Sequence, residues 1–157
     1  MSAGVPLTDQ DREPWLALIR KKAEEMTVGR EAEVGEQDNK KPLVGVVVSC
    51  SALKGYYRNI LRGRIAEGTD PSPVIPPASS LPVLPTYFVF ITGPRSVLEK
   101  RMQERSGHFM KASMLESQLA TLESPAGEEG VVLISLEDDR ERQVEKALEG
   151  LRKVGAV

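Results

Sequence analysis

Short apolar segments alternate along the chain with longer segments whose apolar residues recur at helical spacing. The short segments are rich in β-branched and aromatic residues, which predicts strands buried on both faces. They are Leu43–Ser49, Thr86–Thr92 and Val131–Ser135. With the helical segments, the predicted order is helix, strand, helix, strand, helix, helix, strand, helix. This alternation predicts an α/β fold with a parallel sheet.

Capping and breaking residues mark the predicted ends of several helices. Thr8 followed by Asp11 has the spacing of a capping box, so the first helix is predicted to begin there, and Gly29 is its predicted stop. Glu31–Lys41 is charged and has no periodicity, which predicts a loop. The last helix is predicted over Arg142–Val154 with its apolar residues facing inward. Those residues are Val144, Ala147, Leu148, Leu151 and Val154.

Prolines are concentrated in one part of the chain. Six of the 11 prolines lie between residues 68 and 85. This composition predicts an extended loop inserted between two elements, not packed structure. The length of 157 residues is otherwise typical of one domain, so residues 1–157 are predicted to form a single domain that carries this insertion.

Composition excludes several classes of function. The net charge is −2, from 21 basic and 23 acidic residues, whereas a general nucleic-acid binder usually has a basic excess. The longest apolar segments are far shorter than the roughly 20 residues that span a bilayer, so no membrane segment is predicted. The single cysteine, Cys50, excludes an internal disulfide and a cysteine-rich metal site. A reducing cytoplasm is therefore the expected compartment.

The segment after the first predicted strand carries the first candidate site. Small polar residues end the strand, and the backbone N–H groups at the start of the next helix favour an anion. Lys54 and Arg58 are four residues apart, so they share a helix face and together form a candidate clamp for a carboxylate or phosphate. The alternative at this point is that both are solvated helix charges.

Two further places carry candidate residues. Arg101 and Arg105 are also four residues apart, and the turn at Ser106 and Gly107 directs His108 back toward them. Mobile arginines of this kind close over a triphosphate in phosphoryl-transfer enzymes. The alternatives are an exposed basic helix end and a structural histidine.

The other place is the start of the first predicted helix, where Asp9, Asp11 and Arg12 are close together in the chain. Carboxylates at this position usually cap the helix and complement its dipole. They also accept strong hydrogen bonds from sugar hydroxyls. Capping explains at least one of the two carboxylates, and the assignment of the other stays open.

Four segments in the same order resemble motifs of the gluconate kinase family. Residues 6–16 resemble G-x-P-L-x-D-x-D-R-x-P-W-L, and residues 50–62 resemble C-S-A-L-K-x-x-Y-R-x-x-L-R. Residues 101–109 resemble R-x-x-x-R-x-G-H-F, and residues 117–125 resemble S-Q-x-x-T-L-E-x-P. The chain is thus similar to gluconate kinases from its first residues to about residue 125.

This resemblance implies a P-loop, nucleoside-monophosphate-kinase-like parallel sheet with helices on both faces. It implies transfer of the γ-phosphate of ATP to the 6-hydroxyl of D-gluconate, with Mg²⁺, in an enzyme that is often a homodimer. By resemblance, Arg101 and Arg105 belong to a lid that covers ATP and acts on the transferred phosphate. The residues assigned by resemblance to the gluconate side are Asp9, Asp11, Arg12, Lys54, Arg58 and His108.

The chain departs from the family pattern at its beginning. The family starts with a strand, the loop G-x-x-x-x-G-K-S/T and an acidic segment, and the sequence has no match to that loop. The start methionine aligns with an internal methionine of the family. We therefore expect an incomplete domain that lacks the first strand and the P-loop, and a chain that does not phosphorylate gluconate by itself.

Two other readings stay open on the sequence. One is a non-catalytic gluconokinase-like protein with a regulatory or interaction role. The other is a related kinase for a different hydroxylated acid, such as shikimate. The motifs at residues 50–54 and 107–109 favour gluconate over the second of these.

Overall fold

The computed structural model describes residues 7–33, 44–64, 84–104 and 112–156. The chain divides into two compact units, Leu7–Leu84 and Pro85–Val157. The described residues of the first unit form two helices, α1 (Asp9–Glu33) and α2 (Gly55–Leu61). Those of the second unit form two strands, β1 (Phe88–Thr92) and β2 (Val131–Ser135), and three helices, α3 (Arg95–Glu104), α4 (Ala112–Thr121) and α5 (Arg140–Lys153).

The predicted capping box at the start of α1 is confirmed. The backbone N–H and the hydroxyl of Thr8 donate to Asp11 Oδ2 at 2.9 and 2.6 Å, and the Asp11 N–H donates back to Thr8 Oγ1 at 3.3 Å. The predicted stop at Gly29 is wrong, because α1 continues to Glu33. A glycine inside a helix costs only about 1 kcal/mol relative to alanine, so it does not end a helix by itself.

The two helices of the first unit are joined by apolar packing and by one buried arginine. Leu16 of α1 and Ile60 of α2 are buried. The Arg20 guanidinium donates to the carbonyls of Leu61 at 3.1 Å and Leu84 at 2.9 Å, which satisfies a carbonyl at the end of α2. Gly63 has a φ of +69°, and a Cβ there would lie 3.3 Å from the Arg20 guanidinium, so glycine suits this turn.

The strand predicted over Leu43–Ser49 is wrong. Residues 44–50 are described and form no regular secondary structure, and the Val47 side chain is 100% exposed. A strand needs a neighbour whose N–H and C=O groups pair with its own. No strand in the described part of the chain pairs with this segment, so its β propensity has no ladder to join.

The other two predicted strands are confirmed, with β1 starting two residues later than expected. They pair in parallel, in a register that runs from Phe88 opposite Val131 to Thr92 opposite Ser135. Within the described residues β1 pairs only with β2, and its side chains Val89 and Ile91 are exposed. The sheet is therefore the incomplete parallel sheet that the sequence predicted.

Helix α5 packs on β2 with a face that overlaps only partly with the one predicted. Its N-cap, Asp139, accepts a hydrogen bond from the Arg142 N–H at 2.8 Å. A Cβ added at Gly150 would lie 2.3 Å from Val132 Cγ1, so α5 meets β2 at its glycine. The prediction that Val144, Leu148 and Val154 face inward is wrong, because these residues are 53%, 43% and 38% exposed, whereas Ala147 and Leu151 are half-buried. No helix among the described residues is long and apolar enough to cross a membrane.

Candidate functional site

The first unit brings two of the predicted clusters together. Lys54, the N-cap of α2, donates from Nζ to Asp9 Oδ1 at 2.8 Å and to Oδ2 at 2.7 Å. The Tyr57 hydroxyl also donates to Asp9 Oδ1. Asp9 lies 45 residues before Lys54 and 48 before Tyr57, so only the packing of α1 against α2 creates this contact. We call Asp9, Arg12, Lys54 and Tyr57 the charged cluster.

Two cations lie close to the Tyr57 ring. The Lys54 ammonium is 5.6 Å from the ring centroid, and the Arg12 guanidinium carbon is 5.8 Å from it. Both distances fall in the range of cation–π attraction. Arg12 also donates from Nε to the Leu7 carbonyl at 3.3 Å. The side chains of Asp9 and Lys54 are 48% and 28% exposed, so a ligand in solution can reach both.

The electrostatics fix the ionisation state of the charged cluster at neutral pH. The hydrogen bonds from Lys54 and then Tyr57 hold the pKa of Asp9 below its ordinary value, against a smaller opposing effect of burial. Burial and the Asp9 carboxylate raise the pKa of the Tyr57 phenol. Asp9 is therefore an anion and Tyr57 a neutral hydrogen-bond donor over the whole physiological range.

Because the pKa of Asp9 is lowered in the folded state, we expect the free energy of unfolding of the first unit to fall in acid. Ionised Asp9 stabilises the folded state above its unfolded pKa, and that contribution is lost as the pH falls through the lower folded pKa. We expect the urea midpoint of the wild type to fall between about pH 5 and pH 2 more steeply than that of Asp9→Asn, which has no carboxylate at this position. Parallel slopes in the two proteins would contradict this assignment.

Arg58 does not lie with Lys54 on an exposed face, so the predicted clamp of two cations is not formed. Its residue is 2% exposed, and its Nη1 donates to the carbonyls of Ala52 at 2.8 Å and Leu53 at 3.2 Å. Arg58 thus holds the turn that immediately precedes Lys54. Its assignment as a direct ligand of the substrate stays a prediction.

The remaining predicted residues fall in different places. Asp11 is engaged with Thr8 in the capping box, and these hydrogen bonds lower its pKa. Arg101 belongs to the second unit, is exposed near the end of α3, and lies 3.5 Å from the Asp138 carbonyl. Arg105 and His108 lie outside the described residues, as does most of the proline-rich segment. Their assigned roles stay predictions.

Sequence reasoning did not include Tyr57 among the candidate site residues and so missed its place in the charged cluster. The residue is 1% exposed, as is typical of a core side chain. Its hydroxyl nevertheless reaches Asp9. The signal was present in the spacing, because Tyr57 lies three residues after Lys54 and residues three apart are neighbours on a helix.

Comparison with known proteins identifies the family. No protein-family model matches the chain. It is 42% identical over 135 residues to the gluconokinase of Gluconobacter oxydans (strain 621H), which covers 86% of this chain and 58% of that protein. It is 37% identical over 155 residues to a probable gluconokinase of Schizosaccharomyces pombe, covering 98% and 67%. The thermoresistant gluconokinase of Escherichia coli (strain K12) is 32% identical over 154 residues, covering 98% and 70%. The chain belongs to the gluconokinase family.

Solved structures agree with this membership. The crystal structure of a gluconokinase from Sinorhizobium meliloti 1021 matches this gluconokinase-family chain with a TM-score of 0.66 at 38% identity, over 98% of this chain and 69% of that one. An unliganded sugar kinase from Janibacter sp. HTCC2649 matches with a TM-score of 0.67 at 35% identity, covering 99% and 72%. The predicted P-loop kinase-like α/β fold with an incomplete parallel sheet is confirmed.

Proposed function

We propose that this chain supplies the gluconate-binding part of a gluconokinase, which transfers the γ-phosphate of ATP to the 6-hydroxyl of D-gluconate. The charged cluster carries this proposal. Its residues come from two segments that resemble separate gluconokinase motifs. They bring together two cations and one anion, of which Lys54 and Asp9 are partly exposed. The chain spans 58% of the Gluconobacter gluconokinase.

The chemistry of the charged cluster suits a polyhydroxy acid. Gluconate carries one carboxylate and a row of hydroxyl groups. The cations Lys54 and Arg12 are suited to bind the carboxylate of gluconate, since charge-assisted hydrogen bonds are about twice as strong as neutral ones. The Asp9 carboxylate accepts hydrogen bonds only, which matches it to a hydroxyl donor.

The ATP side of the proposal rests on the second unit. Arg101 and Arg105 are proposed to lie over the triphosphate and to offset the charge that develops during transfer, whereas His108 keeps its assignment to the gluconate side. Among the described residues no group of three or more His, Cys, Asp or Glu side chains could hold a metal ion. The Mg²⁺ implied by the family resemblance stays a prediction. Cytoplasmic location and a homodimer remain predictions.

Isothermal titration calorimetry with D-gluconate tests the proposal. We expect the purified chain to bind gluconate and Lys54→Met to bind it about 10- to 100-fold more weakly, because losing a charged hydrogen-bond partner costs about 1.5–3 kcal/mol. Lys22→Met is the matched control, since Lys22 is exposed on α1 and pairs with Glu25. A flat titration of the wild type, or equal affinity in Lys54→Met, would overturn the proposal.

The same preparation tests the expected lack of turnover. The sequence contains no G-x-x-x-x-G-K-S/T loop, which in such kinases supplies the N–H groups and the lysine around the β- and γ-phosphates. We therefore expect no ATP-dependent formation of 6-phosphogluconate above background, even where gluconate binds. Turnover comparable to that of a relative with a P-loop would contradict this part of the proposal.

A further inference from the structure

Tyr57 has one property of a core residue, its burial, and one property of a binding-site residue, its interactions with charged side chains. With Leu16 it is one of the largest fully buried side chains among the described residues. At the same time its hydroxyl donates to Asp9, and its ring lies within cation–π distance of both cations of the charged cluster. A side chain fixed by the core is therefore hydrogen-bonded to Asp9 and within cation–π distance of Lys54 and Arg12.

We propose that Tyr57 is a positioning residue of the gluconate site, holding Asp9 and Lys54 as a fixed acceptor–donor pair that binds a carboxylate and a hydroxyl of one ligand. This inference rests on the proposed function. It assigns Tyr57 no contact with the ligand, because the residue is buried.

The hydrogen-bond inventory of the pair supports this arrangement. A carboxylate has about four acceptor positions and an ammonium has three donors. Within the described part of the chain, Asp9 uses three acceptor positions, two for Lys54 and one for Tyr57. Lys54 uses two donors on Asp9. Within the described residues the pair therefore leaves one acceptor position on Asp9 and one donor on Lys54 for a ligand.

The Asp9–Lys54 pair needs Tyr57 to keep one geometry, because a partly exposed ion pair can adopt several. Lys54 and Asp9 are partly exposed, and such pairs gain little net energy because ordering long side chains costs entropy. Tyr57 has two side-chain torsions and is locked by its burial in the unit. The hydrogen bond from its hydroxyl restrains the Asp9 carboxylate when the Lys54 side chain moves.

A double-mutant cycle separates positioning from mere packing. Tyr57→Phe keeps the buried ring and removes the hydroxyl, and we expect it to raise the Kd for D-gluconate about fivefold to tenfold. If Tyr57 acts through Asp9, the double variant with Asp9→Asn binds no more weakly than Asp9→Asn alone. Tyr87→Phe is the control, since the Tyr87 hydroxyl donates to the Gly155 carbonyl at 3.4 Å in the other unit. Additive effects, or an unchanged Kd in Tyr57→Phe, would overturn the inference.

A second measurement needs no ligand. Carboxyl-carbon NMR of the free protein should show Asp9 titrating below the ordinary aspartate value in the wild type and at higher pH in Tyr57→Phe. If Asp9 of the wild type titrated at the ordinary aspartate value, that result alone would contradict the positioning role of Tyr57. If the wild type binds no gluconate, the proposed function fails and this inference fails with it. If it binds gluconate and Tyr57→Phe binds equally well, only the inference fails.

Discussion

Replacing Arg58 with methionine should destabilise the first unit by about 2–5 kcal/mol. The substitution keeps an apolar stem of similar length but removes the guanidinium that donates to the carbonyls of Ala52 and Leu53. A buried acceptor that loses its partner costs about 1–3 kcal/mol, and the Ala52 carbonyl is only partly buried, so the sum for the two carbonyls is about 2–5 kcal/mol. Because Arg58 is 2% exposed, water cannot readily take its place. Urea denaturation followed by circular dichroism measures the change.

Two further variants make the measurement specific. Arg58→Lys keeps the positive charge but replaces the planar guanidinium by an ammonium group. We therefore expect its stability to lie between those of the wild type and Arg58→Met. Arg95→Met is the control, since Arg95 is an exposed arginine that pairs with Glu99 and should leave the urea midpoint nearly unchanged. An Arg58→Met midpoint equal to that of the wild type would show that the turn before Lys54 does not need Arg58.

The features that sequence reasoning predicted correctly are local ones. The capping box of Thr8 and Asp11 depends on residues three apart, and β2 was predicted with the bounds it has in the structure. Both follow from short-range pattern and side-chain chemistry. The motif order was also enough to indicate the family, because it compares residue types along the chain and needs no tertiary contact.

The features that sequence reasoning missed depend on contacts between distant segments. Residues 44–50 have strand composition, but pairing decides whether such a segment becomes a strand, and a single segment does not specify its partner. Helical spacing placed Lys54 and Arg58 on one face without showing that the core buries Arg58. The contact of Asp9 with Tyr57, 48 residues away, follows only from the packing of α1 against α2.

Replacing Gly150 with alanine should destabilise the second unit, although alanine is the better helix former. In an isolated helix this change gains about 1 kcal/mol. In this structure the new Cβ would lie 2.3 Å from Val132 Cγ1 and 3.2 Å from Val132 Cβ, so α5 or β2 must move. Overpacking of this kind costs about 1–3 kcal/mol, which equals or exceeds the gain. We expect a lower thermal midpoint by differential scanning calorimetry.

A substitution of Val132, the residue that the new Cβ would meet, tests whether this clash causes the loss of stability. Val132→Ala removes both Cγ atoms that approach Gly150, so adding Gly150→Ala to it should no longer destabilise and should recover part of the helix-propensity gain. Gly45→Ala is the matched control, because a Cβ at Gly45 meets no atom within 4 Å. A Gly150→Ala protein as stable as the wild type would mean that α5 does not meet β2 at its glycine. An equal loss in the Val132→Ala background would place the obstruction on another residue. Either result would reopen the question of how α5 covers β2, the strand that pairs with β1 in the incomplete sheet.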